Sequence, residues 1–281
     1  SLIGLYVLIS FLKFIFGLKT RLKNRRQAKL SIKAKDELTK GLVLFTEGRW
    51  EESEYLLINN VDNSETPLLN YLAASRSAHM QEAFDRRDDY LKRASQQGEE
   101  AQIAVSVSQA EMQFTSNQLE LSRATLIRLL ESSPKHPYAL KLLAKVYYQQ
   151  EDWNNLFTLL PDLDNLSLIK EKDNKKYQKT AITGILHSLA RKKDTKNLQA
   201  LWKKLPSNLS ENPEILLLYC DALSEAGDTE QSKKLLIKAL NEKPDEQLFE
   251  RYGQLDHEDL GDAIKAAEEW LLENSKSPML L

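Results

Sequence analysis

The chain has 281 residues, of which 28% are charged and 42% are hydrophobic, a balance typical of a folded protein rather than a disordered one. Its single cysteine, Cys220, excludes an internal disulfide and any metal site built from several cysteines. The formal net charge of −2 conceals an uneven distribution. Residues 1–35 carry nine Lys or Arg and no Asp or Glu, which leaves 30 basic against 41 acidic residues in 36–281. A basic N-terminal segment on an acidic remainder predicts contact between that segment and an anionic surface.

The N-terminal segment begins with an apolar run, since residues 2–18 are apolar apart from Ser10 and Lys13. A helix of this length extends about 25 Å, slightly less than the roughly 30 Å hydrocarbon core of a bilayer. We therefore expect a transmembrane helix over 1–18 that continues upstream of Ser1. The basic residues follow the apolar run, whereas in a secretory signal they precede it. By the positive-inside rule, the basic juxtamembrane helix 19–35 and all that follows are predicted to be cytoplasmic.

Two other interpretations of the basic helix are nucleic-acid binding and an amphipathic helix in the plane of the membrane. No aromatic residues alternate with the basic residues for base stacking, and the adjacent apolar run already accounts for the charges. Residues 2–18 are apolar on all sides, which favours a spanning helix over an in-plane one. We predict that residues 1–35 contact membrane lipid and that the chain binds no nucleic acid.

The following stretch, 36–161, repeats one pattern four times at steps of 34, 35 and 34 residues. Each copy has a small residue where two helices cross closely and an aromatic residue or Leu that opens a second helix. The small residues are Gly41, Ser75, Ala110 and Ala144, and the opening residues are Trp50, Phe84, Leu119 and Trp153. This is the period of the tetratricopeptide repeat (TPR), which has two short antiparallel helices per unit. The pattern predicts four TPR units and an all-α, TPR-like helical solenoid preceded by an N-terminal transmembrane helix.

The pattern weakens over 162–212, where a charged linker at 170–176 is followed by helical patterns at 177–191 and 196–205. We predict one irregular, expanded helix pair there, then a regular TPR unit at 213–246 and a final helix pair at 247–281. All the prolines, Pro161 included, are predicted to lie between helices, because proline removes a donor and clashes with the preceding turn. The last pair lacks an evident polar capping helix, so we expect the native chain to continue.

The chain shows no catalytic motif. Its histidines (His79, His136, His187 and His257) are scattered without HExxH spacing, and the Walker A, GxGxxG and GxSxG patterns are absent. We predict no catalytic residues, no metal site and no enzymatic activity. Cys220 occupies the small-residue position of its repeat and is predicted to be buried. No motif supports a cofactor, and haem or porphyrin binding stays open without one.

TPR proteins usually bind their partners in a concave groove lined by the first helix of each unit. The repeat register places nine candidate binding residues on those helices: Arg76, His79, Glu111, Phe114, Tyr138, Lys141, Lys145, Tyr148 and Asp221. Lys141 and Lys145 lie one helical turn apart, flanked by Tyr138 and Tyr148. This arrangement can hold a carboxylate while the rings cover an apolar segment. The alternative is that the lysines only solubilise a surface helix.

The order of these features resembles the HemY family: an apolar segment, a basic run, and repeats that read AKDELTKGLVLFTEGRWEESEYLL and HPYALKLLAKVYYQQEDWNNLFTLLPDL. The resemblance implies a bacterial inner-membrane anchor, a TPR domain on the cytoplasmic side and a role in late protohaem synthesis. It carries over no catalytic residues. Family members have two N-terminal spans and further C-terminal repeats, so we expect this chain to begin in the second span and to lack the last repeats.

We therefore predict a membrane-anchored TPR scaffold that organises enzymes of late haem biosynthesis through protein–protein binding in its groove. Two alternatives stay open at this point. One is a tetrapyrrole-binding carrier, and the other is a TPR adaptor for cell-envelope assembly. The scattered histidines favour a module that binds proteins over a carrier.

Overall fold

The computed structural model describes residues 2–242, 245–254, 264–265, 268 and 270, with side chains described from residue 23 onward except at position 99. Every element that it assigns within these ranges is helical, which confirms the predicted all-α class. The chain divides into two compact units, Ser1–Val146 and Tyr147–Leu281.

The first unit is built from helices joined by short turns, with a single 3-10 turn at Val61–Asn63. Its helices are α1 (Leu2–Thr46), α2 (Trp50–Asn59), α3 (Pro67–Met80), α4 (Phe84–Ser95), α5 (Glu99–Thr115), α6 (Leu119–Ser132) and α7 (Pro137–Gln149), the last of which extends past the boundary. Pro67 and Pro137 each occupy the first position of their helix, where the missing N–H costs nothing.

The second unit continues with helices of similar length, apart from one long and one very short helix. These helices are α8 (Trp153–Asn165), α9 (Glu171–Arg191), α10 (Thr195–Lys204), α11 (Ser207–Ser210), α12 (Pro213–Glu225), α13 (Thr229–Glu242) and α14 (Glu246–Gly253). Asp152, Asp194, Asn212 and Asp245 cap four of them by accepting a backbone N–H from the first turn. Most of the predicted final pair, 247–281, lies outside the described residues.

Helix α1 is continuous from Leu2 to Thr46, so the predicted span, the basic helix and the first helix of the first repeat share one helix. Its basic part is fastened to the loop after α2, because Gln27 donates to Asn63 at 3.3 Å and Ser31 donates to Glu65 at 3.0 Å. Within the described part of the chain, no helix is long and apolar enough to cross a membrane. The predicted span 1–18 lies outside the residues whose side chains are described, and it stays a prediction.

Six helix pairs share the same turn, in which one residue has a left-handed backbone. These residues are Gly48, Glu82, Asn117, Glu151, Lys193 and Gly227, with φ between 52° and 96°. In each turn the next residue donates its backbone N–H to a carbonyl five residues earlier, at 2.8–3.0 Å. The left-handed residues follow one another at 34, 35, 34, 42 and 34 residues, so the enlarged step lies between Glu151 and Lys193.

A buried serine joins the two helices of three pairs by the same hydrogen bond. Ser53 donates to the carbonyl of Gly41 at 2.7 Å, Ser122 to that of Ala110 at 2.9 Å, and Ser232 to that of Cys220 at 3.0 Å. All three serines are fully buried, and each follows its acceptor by 12 residues. The small residue at the crossing therefore exposes its carbonyl to the facing helix.

Two boundaries differ from the sequence prediction. Helix α8 continues through Pro161 to Asn165, because the extra turn places Leu163 in the core with no exposed surface. Helix α9 begins at Glu171, so the segment predicted as a charged linker is helical. Its acidic residues stabilise the first turn, and Asn174 is buried and donates to Asp164 at 2.9 Å. Helix α9 thus has 21 residues where α7 and α12 have 13, which accounts for the enlarged step.

Candidate protein-binding surface

The predicted binding residues of the first unit lie on its first helices α3, α5 and α7, and we call this surface the first-helix face. Arg76 and His79 are on α3, Glu111 and Phe114 on α5, and Tyr138, Lys141 and Lys145 on α7. Arg76, Glu111 and Lys145 each precede the left-handed residue of their turn by six positions, so they occupy the same place in successive pairs.

The structure brings Arg76, Glu111 and Tyr138 into one hydrogen-bonded row across three helices. The Arg76 guanidinium pairs with Oε2 of Glu111, and its Nε donates to Ser108 at 3.4 Å. The Tyr138 hydroxyl donates to Oε1 of Glu111 at 2.6 Å. Partial burial, reinforced by this hydrogen bond, raises the pKa of Tyr138 to about 12. The Glu111 carboxylate therefore links α3 to α7, and the hydrogen bonds of Arg76, Glu111 and Tyr138 are made largely within the row.

His79 is held between two polar neighbours and an aromatic ring. Its Nε2 lies 2.9 Å from the hydroxyl of Ser116, the residue that follows α5, and its Nδ1 lies 3.5 Å from Arg87 on α4. Because Arg87 can only donate, we assign Nδ1 as the acceptor and Nε2 as the protonated nitrogen. Burial, assisted by the Arg87 charge, lowers the pKa of His79 below its ordinary value. The ring also lies 6.1 Å from that of Phe84.

Lys141 and Lys145 are both exposed, one turn apart on α7. Within the described part of the chain, neither has a hydrogen-bond or ion-pair partner. Exposed apolar side chains lie on earlier helices: Leu69 and Met80 on α3 are each 45% exposed, and Leu42 on α1 is 36% exposed. Phe114 is half-buried. The first-helix face thus combines free cations with accessible apolar surface.

The two remaining candidates, Tyr148 and Asp221, belong to the second unit and have local partners there. The Tyr148 ring meets Trp153 edge-to-face at 5.7 Å and lies 5.5 Å from Tyr177, so it is half-buried. Asp221 accepts from Arg251 at 2.5 Å. The structure places neither residue in the Arg76–Glu111–Tyr138 row.

The sequence analysis missed three residues that hold this surface in place: Arg87, Ser108 and Ser116. One signal was available for the ion pair, since Arg76 and Glu111 are opposite charges one repeat apart at the same position of their pairs. Ser108 and Ser116 follow Arg76 and His79 by 32 and 37 residues, and short polar side chains on neighbouring helices carry no such signal.

Two of the possible tetrapyrrole ligands are engaged or buried, whereas His187 on α9 is exposed. His136 accepts the backbone N–H of Ala139 at 3.2 Å, and Cys220 is fully buried, as predicted, with its pKa raised to about 12 by burial. Among the described residues, no group of His, Cys, Asp and Glu could hold a metal ion. A separate cleft of about 440 Å³ opens beside the short helix α11, with Trp202, Leu216 and Leu248 in its wall.

Comparison with known proteins agrees with the resemblance seen in the sequence. Residues 1–82 match the family model described as HemY protein N-terminus. Protein HemY of Escherichia coli strain K12 is 23% identical over 217 residues, which cover 77% of this chain and 54% of that protein. Protein HemY of Shigella flexneri matches to the same extent. The chain is thus similar to HemY proteins, and it spans about half the length of the curated relatives it matches.

Among solved structures, the chain is similar to a chain in the structure of Naa15/Naa10 bound to HypK-THB. The TM-score is 0.49 and the sequence identity 14%, and the match covers 93% of this chain and 40% of that one.

Proposed function

We propose that this chain is a membrane-anchored TPR scaffold that binds enzymes of late haem biosynthesis on the first-helix face of its first unit. The role is binding rather than catalysis. The observation that carries the proposal is the pair of exposed lysines, Lys141 and Lys145, one turn apart beside a row of polar groups that already pair with one another.

Three features support a TPR-type binding module. The left-handed turns recur at the TPR period, and the serine–carbonyl bond joins helices in the same way in three pairs. The Arg76–Glu111–Tyr138 row fixes α3, α5 and α7 to one another, so the lysines stand on a preorganised surface. The likeness to HemY supplies the haem pathway as the setting.

The proposed location is the bacterial inner membrane, with the repeats on the cytoplasmic side. The apolar residues 2–18 and the basic residues after them support this location. Helix α1 runs without a break from that segment into the first repeat, and hydrogen bonds at Gln27 and Ser31 fix its basic part to the first unit. The anchor in this proposal is a rigid extension of the repeats rather than a flexible tether.

The test is affinity capture from detergent-solubilised membranes of the bacterium that produces the chain, using the tagged full-length protein. Late haem-pathway enzymes are quantified by mass spectrometry for the parent protein and for the double variant Lys141→Glu, Lys145→Glu. We expect a decrease of roughly three- to tenfold, because each reversal removes an exposed charge contact and adds repulsion. Circular dichroism checks that the variant is folded.

The matched control is Lys172→Glu, Lys176→Glu, which changes the net charge equally on exposed positions of α9. Capture that falls equally in both variants would remove the first-helix face from the proposal. A parallel haem titration addresses the carrier alternative. A saturable Soret shift without recovery of pathway enzymes would replace the scaffold by a tetrapyrrole carrier.

A further inference from the structure

The six equivalent turns differ sharply in charge. Taking six residues around each left-handed residue gives the windows 46–51, 80–85, 115–120, 149–154, 191–196 and 225–230. Their net charges are −1, −2, −1, −2, +3 and −3 in that order. The turn between α9 and α10, residues 191–196, is therefore the most basic of these turns, and we call it the basic turn. Its charge exceeds the +1 of residues 165–170 around Ser167, which has the same left-handed turn between α8 and α9.

The surrounding sequence shows the same reversal. The expanded pair 162–212 has 11 Lys or Arg against 6 Asp or Glu, whereas 36–161 has 12 against 19 and 213–281 has 7 against 16. In the basic turn, Arg191, Lys192, Lys193 and Lys196 are all exposed. Within the described part of the chain, none of the four forms an ion pair. Four cations in six residues repel one another, so the turn attracts anions from outside the chain.

Local structure does not account for these charges. The carboxylate of Asp194 is the nearest acidic group in the turn, and it is engaged as the cap of α10, accepting from the backbone N–H of Asn197 at 3.1 Å and from its side-chain amide at 2.6 Å. A cation near the C-terminus of α9 is favoured by the helix dipole, but α5, α7 and α12 end without any basic residue in the last turn. The hydrogen bonds from Asn197, and more weakly the charges of Lys192 and Lys196, lower the pKa of Asp194, but this single carboxylate cannot balance four cations.

An acidic turn lies directly beside the basic turn. Gln199 on α10 donates to Asp228 at 3.3 Å, which brings the 225–230 turn, of charge −3, next to the basic one. A continuous anionic surface such as a bilayer would meet both turns and be repelled by the second. A discrete ligand can contact the cations alone. The charge pattern thus favours a local partner over lipid.

From this pattern we infer that the basic turn binds an acidic segment of a partner protein, one that presents several carboxylates in a short stretch. The contact lies in the second unit and does not involve the first-helix face. Lys192, Lys193 and Lys196 supply the positive charge, and Arg191 offers a bidentate fork for one carboxylate. A scaffold with this turn would hold one partner on its first-helix face and engage an acidic tail or loop separately.

The probe is a short fluorescein-labelled peptide of alternating Glu and Ser, added to the full-length protein in non-ionic detergent and followed by fluorescence anisotropy. The test variant combines Lys192→Glu, Lys193→Glu and Lys196→Glu. Glutamate is compatible with the left-handed position of Lys193, since Glu82 and Glu151 occupy it in two other turns. The control combines Lys172→Glu, Lys175→Glu and Lys176→Glu, which change the charge equally roughly 25 Å away along α9.

We expect the parent and the control to bind the peptide and the turn variant to lose about tenfold or more in affinity, with higher salt weakening the parent's binding. A peptide of alternating Gln and Ser should not bind. Failure of the parent to bind the acidic peptide, or equal loss in both variants, would overturn the inference. So would a preference for phosphatidylglycerol over phosphatidylcholine vesicles that disappears in the turn variant alone, because it would assign the turn to lipid.

Discussion

Gly184 on α9 approaches the indole ring of Trp153 on α8 more closely than any other residue type would allow. A Cβ added at Gly184 would lie 2.1 Å from Cδ1 and 2.2 Å from Nε1 of Trp153. The indole in turn meets Tyr148 edge-to-face. Glycine within a helix is less favourable than alanine by about 1 kcal/mol. At this position the close contact with the indole ring requires glycine in spite of that cost.

We predict that Gly184→Ala destabilises the second unit by about 1–2 kcal/mol, because the cost of displacing the ring exceeds the gain in helix propensity. Cys220, in the same unit, provides the readout. It is fully buried and burial raises its pKa to about 12, so maleimide labelling near neutral pH requires opening of the unit. Labelling should accelerate roughly five- to thirtyfold.

The control for this substitution is Gly253→Ala at the end of α14, where no described residue beyond its own neighbours and helix backbone lies within 4 Å of the added Cβ. Its labelling rate should match that of the parent. A Gly184→Ala protein with the parent's unfolding free energy would show that the indole moves aside at little cost.

At the scale of the elements, the repeat register was the most informative part of the sequence. It predicted the small residues at the helix crossings and placed Arg76 and Glu111 at one position of successive pairs, where the structure joins them. It did not predict the start of α9 or the continuation of α8 through Pro161, because both depend on burial. Asn174 and Leu163 become buried through packing that no local pattern encodes.

The candidate site was predictable to the same extent. Register assigns a residue to a first helix, but it cannot say whether that side chain is free or already paired. Arg76 and Tyr138 looked like available ligands and are bonded to Glu111, whereas Lys141 and Lys145 have no such partner among the described residues. The four basic residues of the basic turn are evident in the sequence. That the five equivalent turns are acidic became clear only when the turns were aligned by backbone geometry.

Removing the serine–carbonyl bond should lower stability by different amounts in different helix pairs. Ser122→Ala removes one buried hydrogen bond, to Ala110, and should cost about 0.5–1.5 kcal/mol. Ser53→Ala should cost more, about 1–3 kcal/mol, because the Ser53 hydroxyl also lies 3.0 Å from that of Ser77, which then loses its buried partner.

Urea denaturation followed by circular dichroism measures both changes. Ser188→Ala, at an exposed position of α9, is the control and should leave stability unchanged or slightly raised, since alanine is the better helix former. Equal costs at Ser53 and Ser122 would mean that the Ser53–Ser77 contact contributes nothing.

At the scale of the whole molecule, three tyrosines in two units respond alike to their surroundings. Burial is the first cause in each case, and it raises the pKa of Tyr90, Tyr138 and Tyr219 to about 12. Tyr90 also donates to the buried carboxylate of Glu54 at 2.9 Å, and the Tyr219 ring stacks on Trp202 with centroids 4.2 Å apart. Both units therefore contain phenols that favour the neutral form.

These three shifts predict that the protein loses stability in alkali. The unfolded state releases a tyrosine proton near pH 10, whereas these three sites in the folded state hold theirs until about pH 12. The folded state thus binds more protons between pH 10 and pH 12, so the free energy of unfolding is highest below pH 10 and falls across that interval.

Absorbance at the phenolate band and circular dichroism, recorded together, should show some of the ten tyrosines ionising late and with loss of helix. Tyr138→Phe should remove one late phenol and reduce the slope of stability against pH, whereas Tyr55→Phe, at a residue 66% exposed, should not. Ionisation of all tyrosines in one step near pH 10 with the helical signal intact would contradict this account, since it would mean that the three phenols ionise as readily in the folded protein as in the unfolded chain.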